Sequence, residues 1–127
     1  MHKDFDRWNE TKKKTDAERP RFYTVREIWW CRLGVNVGTE QDGNPENFVR
    51  PALILVGLGS NACIIVPLTT SKRQHPFRIP IGQIDGREAR ANVSQLRVVD
   101  TRRLGEKICF LDKQRFAQIR KAVRDMF

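Results

Sequence analysis

Two apolar segments, 51–57 (PALILVG) and 62–69 (ACIIVPLT), follow one another with only Leu58, Gly59, Ser60 and Asn61 between them. No other feature constrains the fold as much. The Gly and Asn of the connection tolerate the positive φ that a hairpin needs, so the two runs predict a buried antiparallel hairpin. Pro67 has no amide hydrogen to give to a ladder, which predicts a bulge or a sheet edge just before Thr69. Both runs are far shorter than the ~20 residues that cross a bilayer, so no membrane span is expected.

Shorter elements surround this hairpin. Residues 24–33 are rich in β-branched and aromatic side chains (Val25, Ile28, Trp29, Trp30) and predict a strand that ends near Leu33. Gly, Asp, Asn and Pro from Gly34 to Asn47 then mark a long loop. Further strands are expected around 77–81, 89–93, 96–99 and 107–110, at the close spacing of a small barrel. A C-terminal helix follows, with Asp112 as its cap and Leu111 and Phe116 as a staple across it. Phe116, Ile119, Val123 and Met126 recur at helical spacing and predict one apolar face for core or dimer packing. Upstream, Phe5 and Trp8 followed by Lys12, Lys13 and Lys14 predict a short amphipathic helix over 3–15, its lysines a solvated face or a phosphate contact. Pro20 breaks the chain after it. The expected organisation is an N-terminal arm, 1–21, and one mainly β barrel domain, 22–127, a size that suits a single core.

Lys and Arg number 24 against 15 acids, for a net charge of +9. The excess is uneven: seven cations face five acids in 1–21, three face four in 22–71, and fourteen face six in 72–127. Such a balance suits a polyanionic partner, although scattered surface arginine also serves solubility. Residues 1–15 are charged throughout and hold no apolar core of a secretory leader, so none is expected. Cys31, Cys63 and Cys109 lie far apart with no Cys-x-x-Cys, which fits neither a disulfide framework nor a zinc site. They read as reduced, mostly buried thiols of a cytoplasmic protein.

The common signatures of nucleoside-triphosphate, zinc-protease and serine-hydrolase chemistry are absent, as are clustered carboxylates, and no cofactor is implied. Only His2 and His75 are present, which disfavours a two-histidine acid and base pair; His75 alone is a proton shuttle or an ordinary loop residue. Three stretches stand out: Gly38-Thr39-Glu40-Gln41 in a loop, Arg50-Pro51-Ala52 opening the first buried strand, and 66–71 (VPLTTS) closing the second. In an antiparallel hairpin the start of one strand and the end of the next share a rim, so Arg50 and Thr69 converge. A guanidinium fork and a hydroxyl suit a phosphodiester, because the fork binds two phosphate oxygens and the hydroxyl donates to another.

At these residues the chain resembles the MazF/PemK toxins of bacterial toxin-antitoxin systems. The family pattern is a Gly-x-Glu-Gln loop, Arg-Pro-x-x-(Val/Ile), a Pro-x-Thr strand end, and Gln-x-(Arg/Lys)-x-(Val/Ile)-Asp. Here these are 38–41, 50–54, 67–69 and Gln95-Leu96-Arg97-Val98-Val99-Asp100, followed by Arg102-Arg103-Leu104. The resemblance runs from about Arg26 to Val123. It implies an SH3-like barrel, a homodimer, a cognate antitoxin expected to be acidic, and metal-independent cleavage of single-stranded RNA at short sequence motifs.

The resemblance implies that Arg50 and Thr69 are the central catalytic pair. RNA contacts are expected from Glu40, Gln41, Thr70, Lys72, Arg73, Gln95 and Arg97, with Glu40 the nearest acid to take up a proton. Many members carry an acid immediately before the Gln of the last motif and some an Arg two residues earlier, where this chain has Ser94 and Asn92. Two other readings of the same barrel remain: a toxin resembling CcdB that poisons DNA gyrase, whose Trp-Gly-Ile terminus is not matched by Asp125-Met126-Phe127, and a non-catalytic RNA-binding barrel.

Overall fold

The computed structural model describes residues 22–33 and 49–127. The expected helix over 3–15, the 34–47 loop, and with them Glu40 and Gln41, lie outside the described residues.

The expected hairpin forms from β2 (Val49–Gly57) and β3 (Ala62–Thr69), which pair antiparallel with Ala52 opposite Pro67 and Ile54 opposite Ile65. Its connection is pinned from outside. The Tyr23 hydroxyl donates to the Gly59 and Ala62 carbonyls (2.6 and 3.1 Å), and the Thr101 hydroxyl donates to Ser60 O (2.8 Å). The first strand, β1 (Glu27–Arg32), is shorter than expected because the chain turns at Thr24–Arg26 before entering it. It lies between β2 and β7 (Leu104–Phe110).

β4 (Arg78–Ile84) and β5 (Arg87–Asn92) form a second hairpin, and β6 (Arg97–Asp100) returns to β3. The strand order is β4-β5-β3-β2-β1-β7, with β6 beside β3, so the described strands form one curled antiparallel sheet, a half-barrel. β4 and β5 are longer than expected because Asp85 (φ 54°) and Gly86 (φ 81°) close a tight turn between them. Gly82 (φ 87°) marks a register shift in β4 where an L side chain is disfavoured.

Pro67 corrects the edge-strand expectation. The register shift in the β2–β3 ladder lies between Ile54 and Val56, and Pro67 is buried within the sheet. β3 pairs with β6 through residues 62–65 and with β5 through 68–69, so Val66 and Pro67 lie where one partner gives way to the next. A missing amide donor is tolerated at such a changeover.

Apolar side chains are buried on both faces of the sheet. One cluster joins Ile28, Leu53, Val66 and Leu68 to Ile81, Val93, Leu111, Phe116 and Ile119, under the helix α1 (Lys113–Asp125). Asp112 caps that helix, its carboxylate accepting from Arg115 N at 3.0 Å, and the apolar stripe faces the core as expected. The other cluster joins Trp29, Cys31, Leu33, Ala52, Ile54, Cys63, Ile65, Val99 and Leu104. At the start of β1, Glu27 is 5% exposed and accepts from Trp29 Nε1 (2.9 Å), Thr24 N (2.8 Å) and Lys107 Nζ (3.1 Å). Burial alone pushes its carboxyl up, and these bonds together outweigh burial and hold it below the usual carboxylate range.

Candidate functional site

The registers of four strands bring the site together. Cys31 on β1 pairs with Arg50 on β2, and carrying the Ala52–Pro67 register two residues further sets Arg50 opposite Thr69 on β3. Thr69 in turn pairs with Arg90 on β5. Residues directly opposite in antiparallel strands share a face, with Cβ atoms about 5 Å apart. The pairs Cys31–Arg50 and Thr69–Arg90 thus lie at the same end of the hairpin, on the face of Ala52 and Ile65 if the β2–β3 register continues past Ala52–Pro67. Arg97 lies opposite Ile65 across the β3–β6 ladder and belongs to the same face.

The hydroxyl and several of the guanidiniums around it have settled partners. Thr69 Oγ1 accepts the Ser71 amide at 3.1 Å, which leaves its own hydrogen to point elsewhere. Arg90 Nη1 donates to the Ser71 and Arg73 carbonyls (3.4 and 3.1 Å), while Arg78 Nη1 donates to Ser71 Oγ (3.2 Å) and to Arg73 O at the longer distance of 3.5 Å. Two arginines thus brace the segment that follows Thr69. Beyond them, Arg97 Nη1 and Arg103 Nη1 donate to the carbonyls of Leu33 and Arg32, both at 3.3 Å, which ties two more guanidiniums to the end of β1. No acid offsets them within the hairpin and its exit loop, since the sequence has no Asp or Glu from Asn47 to Ile84.

Cys31 lies at this end of the hairpin but is no nucleophile. Burial, reinforced by the neighbouring Cys63, pushes its thiol up to about 12, so it stays protonated at neutral pH. Burial and then Asp100 push Cys63 up to about 11. Among the described residues no disulfide joins the three cysteines, and no group of three or more His, Cys, Asp or Glu is placed to hold a metal ion.

The other candidates are spread along the same rim. Thr70, Lys72 and Arg73 are exposed in the loop after β3, and Gln95 is half-buried in the turn between β5 and β6. In that turn Ser94 Oγ donates to Oδ1 of the buried Asn92 at 3.2 Å. Asp100, which ends the Gln-x-Arg motif, sits at the far end of β6 opposite Ala62. Hydrogen bonds from the Arg102 side chain and amide hold it below the usual carboxylate range, and it caps a turn there. Sequence reasoning missed Arg78 and Arg90. Nothing local distinguishes them from surface cations, because their role depends on strand pairing.

A curled β half-barrel with a braced hydroxyl among guanidiniums defines a small β protein with a cationic rim. The chain belongs to the family of PemK-like, MazF-like toxins of type II toxin-antitoxin systems, whose model matches residues 24–127. MazF from Deinococcus radiodurans is similar in structure, with 20% identity over 84% of this chain and 96% of that one and a TM-score of 0.69. So is the Mycobacterium tuberculosis toxin MazF-mt6, with 17% identity over 79% of this chain and 94% of that one and a TM-score of 0.62. A third likeness is an endoribonuclease from a mycobacterial species in complex with its cognate antitoxin, with 17% identity, 82% and 93% coverage, and a TM-score of 0.61. At these identities the likenesses concern the fold. No curated protein matches the chain in sequence.

Proposed function

We propose that this toxin is a sequence-specific endoribonuclease that cuts single-stranded RNA without a metal ion. In the reaction, the 2′-oxygen of a nucleotide bonds to its own 3′-phosphorus as the bond from phosphorus to the 5′-oxygen of the next nucleotide breaks. A proton leaves the 2′-hydroxyl and one is taken up by the 5′-oxygen, giving a 2′,3′-cyclic phosphate and a 5′-hydroxyl. The observation that carries this reading is Thr69 paired with Arg90, with Arg50 two residues before Ala52 on the adjoining strand, at the same end of the hairpin.

Arg50 supplies charge and a two-pronged donor to the phosphorane-like transition state, the part a metal ion plays in other nucleases. Thr69 donates its free hydroxyl hydrogen to a non-bridging oxygen and orients the phosphate. Lys72, Arg73 and Arg97 hold flanking phosphates, and Thr70, Gln95 and Gln41 contact the strand. Glu40 is the candidate to accept the 2′-proton. The acid that many members place before the motif glutamine is replaced by Ser94, whose hydroxyl is engaged with Asn92.

The same reading makes the toxin a cytoplasmic homodimer with two equivalent grooves, neutralised by an acidic antitoxin segment lying along them. The related Deinococcus toxin was solved as a MazE-MazF complex. No helix among the described residues is long and apolar enough to cross a membrane.

Incubation with a long single-stranded RNA in EDTA tests the proposal. Fragments ending in 2′,3′-cyclic phosphate at recurring motifs are expected. Intact but retarded RNA would favour a binding barrel, and inert RNA with inhibited supercoiling would favour a gyrase-directed toxin.

A further inference from the structure

The loop from β3 to β4 presents an aromatic pair that the cleavage chemistry does not use. His75 and Phe77 stand with ring centroids 5.6 Å apart, tilted by 48°. Both are exposed, Phe77 to 38%. The backbone there is fixed. Phe77 N donates to His75 Nδ1 (3.1 Å), Arg78 N donates to His75 O (3.0 Å), and Val93 N donates to Phe77 O (2.9 Å). Pro76 stiffens the link between the two rings.

The last of these bonds anchors Phe77 to the turn that carries Ser94 and Gln95. Arg78, the next residue, reaches back to Ser71 and Arg73 behind Thr69. The rings therefore belong to a loop that is tied at one end to the hydroxyl and at the other to the Gln95 turn. Lys72 and Arg73 are exposed in the same loop, and no acid occurs between Asn47 and Ile84. A rigid aromatic face among uncompensated cations is the arrangement on which single-stranded nucleic acids stack their bases while the cations follow the phosphates.

We infer that His75 and Phe77 form a stacking step for one unpaired base of the RNA strand, beside the scissile phosphate and on the Lys72–Arg73 side. This rests on the cleavage reading given above and extends it to a base subsite. Phe77 carries the larger apolar face, and His75 backs it. The step selects for an unstacked base, because every base has a π-face and a paired duplex offers none.

The test uses a labelled, fully 2′-O-methylated single-stranded RNA of mixed sequence, which has no 2′-hydroxyl to attack with, and follows binding by fluorescence anisotropy. Phe77→Leu keeps an apolar side chain but loses the π-face, and should weaken binding about tenfold. Phe77→Trp should restore it to within about twofold of wild type. Because no phosphate contact is removed, the slope of log affinity against log salt should not change. Inorganic polyphosphate, which has charge but no bases, should bind Phe77→Leu as tightly as wild type.

Equal RNA affinity for Phe77→Leu and wild type overturns the stacking step while leaving the cleavage reading intact. Weakened polyphosphate binding by Phe77→Leu also overturns it, since the residue would then act through loop shape. An effect on antitoxin binding alone assigns the surface to a protein partner. A wild-type protein that neither binds nor cuts single-stranded RNA removes both readings together.

Discussion

Arg50→Ala is the most direct perturbation of the proposed mechanism. Arg50 is half-buried at the start of β2, opposite the fully buried Cys31 and two residues before the fully buried Ala52. Its loss removes a charged donor carried on a paired strand. Arg90 is a poor substitute, since its guanidinium is tied to the Ser71 and Arg73 carbonyls, and Arg97 is assigned to a flanking phosphate. Removing one preorganised donor to a developing oxyanion costs about 3 kcal/mol. At about 1.4 kcal/mol per decade, that is a loss of roughly 10²-fold in rate. Arg50→Lys keeps the charge and loses the fork, so it should fall between alanine and wild type. The assay is initial-rate cleavage of a labelled single-stranded RNA in EDTA, with each variant's thermal unfolding measured alongside. Thr69→Ala should lose less than Arg50→Ala. If a folded Arg50→Ala cuts at the wild-type rate, the arginine has no part in the chemistry and the grouping across β2, β3 and β5 is only structural.

Arg90→Ala should lower kcat more than it raises KM, by about tenfold, because it frees the carbonyls behind Thr69 without removing a substrate contact; steady-state cleavage kinetics separate the two. Ser94→Ala should change the cleavage rate less than about tenfold, since an uncharged hydroxyl bonded to Asn92 is a poor general base, and a loss as large as that of Arg50→Ala would give Ser94 the missing acid's part. Glu27→Gln should destabilise the fold by about 1–3 kcal/mol in urea titrations near neutral pH, by breaking the charged bond to Lys107 and disturbing the amide and indole donors. The folded carboxyl titrates below its unfolded value, so its contribution is present above about pH 4.5 and is lost as pH falls through the folded value; the gap between Glu27→Gln and wild type should therefore narrow only in that acid range. Alkylation of Cys31 by iodoacetamide should require unfolding, because its thiol is buried and pushed up to about 12.

The hairpin and the helix were legible because their signals are local. Apolar runs split by Gly59 and Asn61, and a stripe from Phe116 to Met126 behind Asp112, need no knowledge of the rest of the chain. The second hairpin was legible in principle, since Asp85-Gly86 is a tight-turn dipeptide, but its flanking strands lack clear alternation and were placed too short. Pro67 misled because a residue without an amide donor usually marks an edge, and only the handover of β3 from β6 to β5 explains its place inside a sheet. Half of the candidate site follows from the hairpin alone, as Arg50 and Thr69 must share a rim. Arg90 and Arg78 do not follow, because their partners are backbone carbonyls that the β3–β5 pairing and the loop after β3 bring within reach.

β3 is bonded along both edges, to β2 on one side and to β6 and then β5 on the other. Its amides should therefore be among the slowest of the chain to exchange with deuterium, opening only when the whole sheet unfolds. Thr69 ends that strand, paired with Arg90 on β5, so the hydroxyl is carried by one of the most firmly held elements among the described residues. A partner that silences such a protein gains little by loosening it. It has to cover the rim, and when the cover is removed Thr69 and the arginines that brace its loop are already in place.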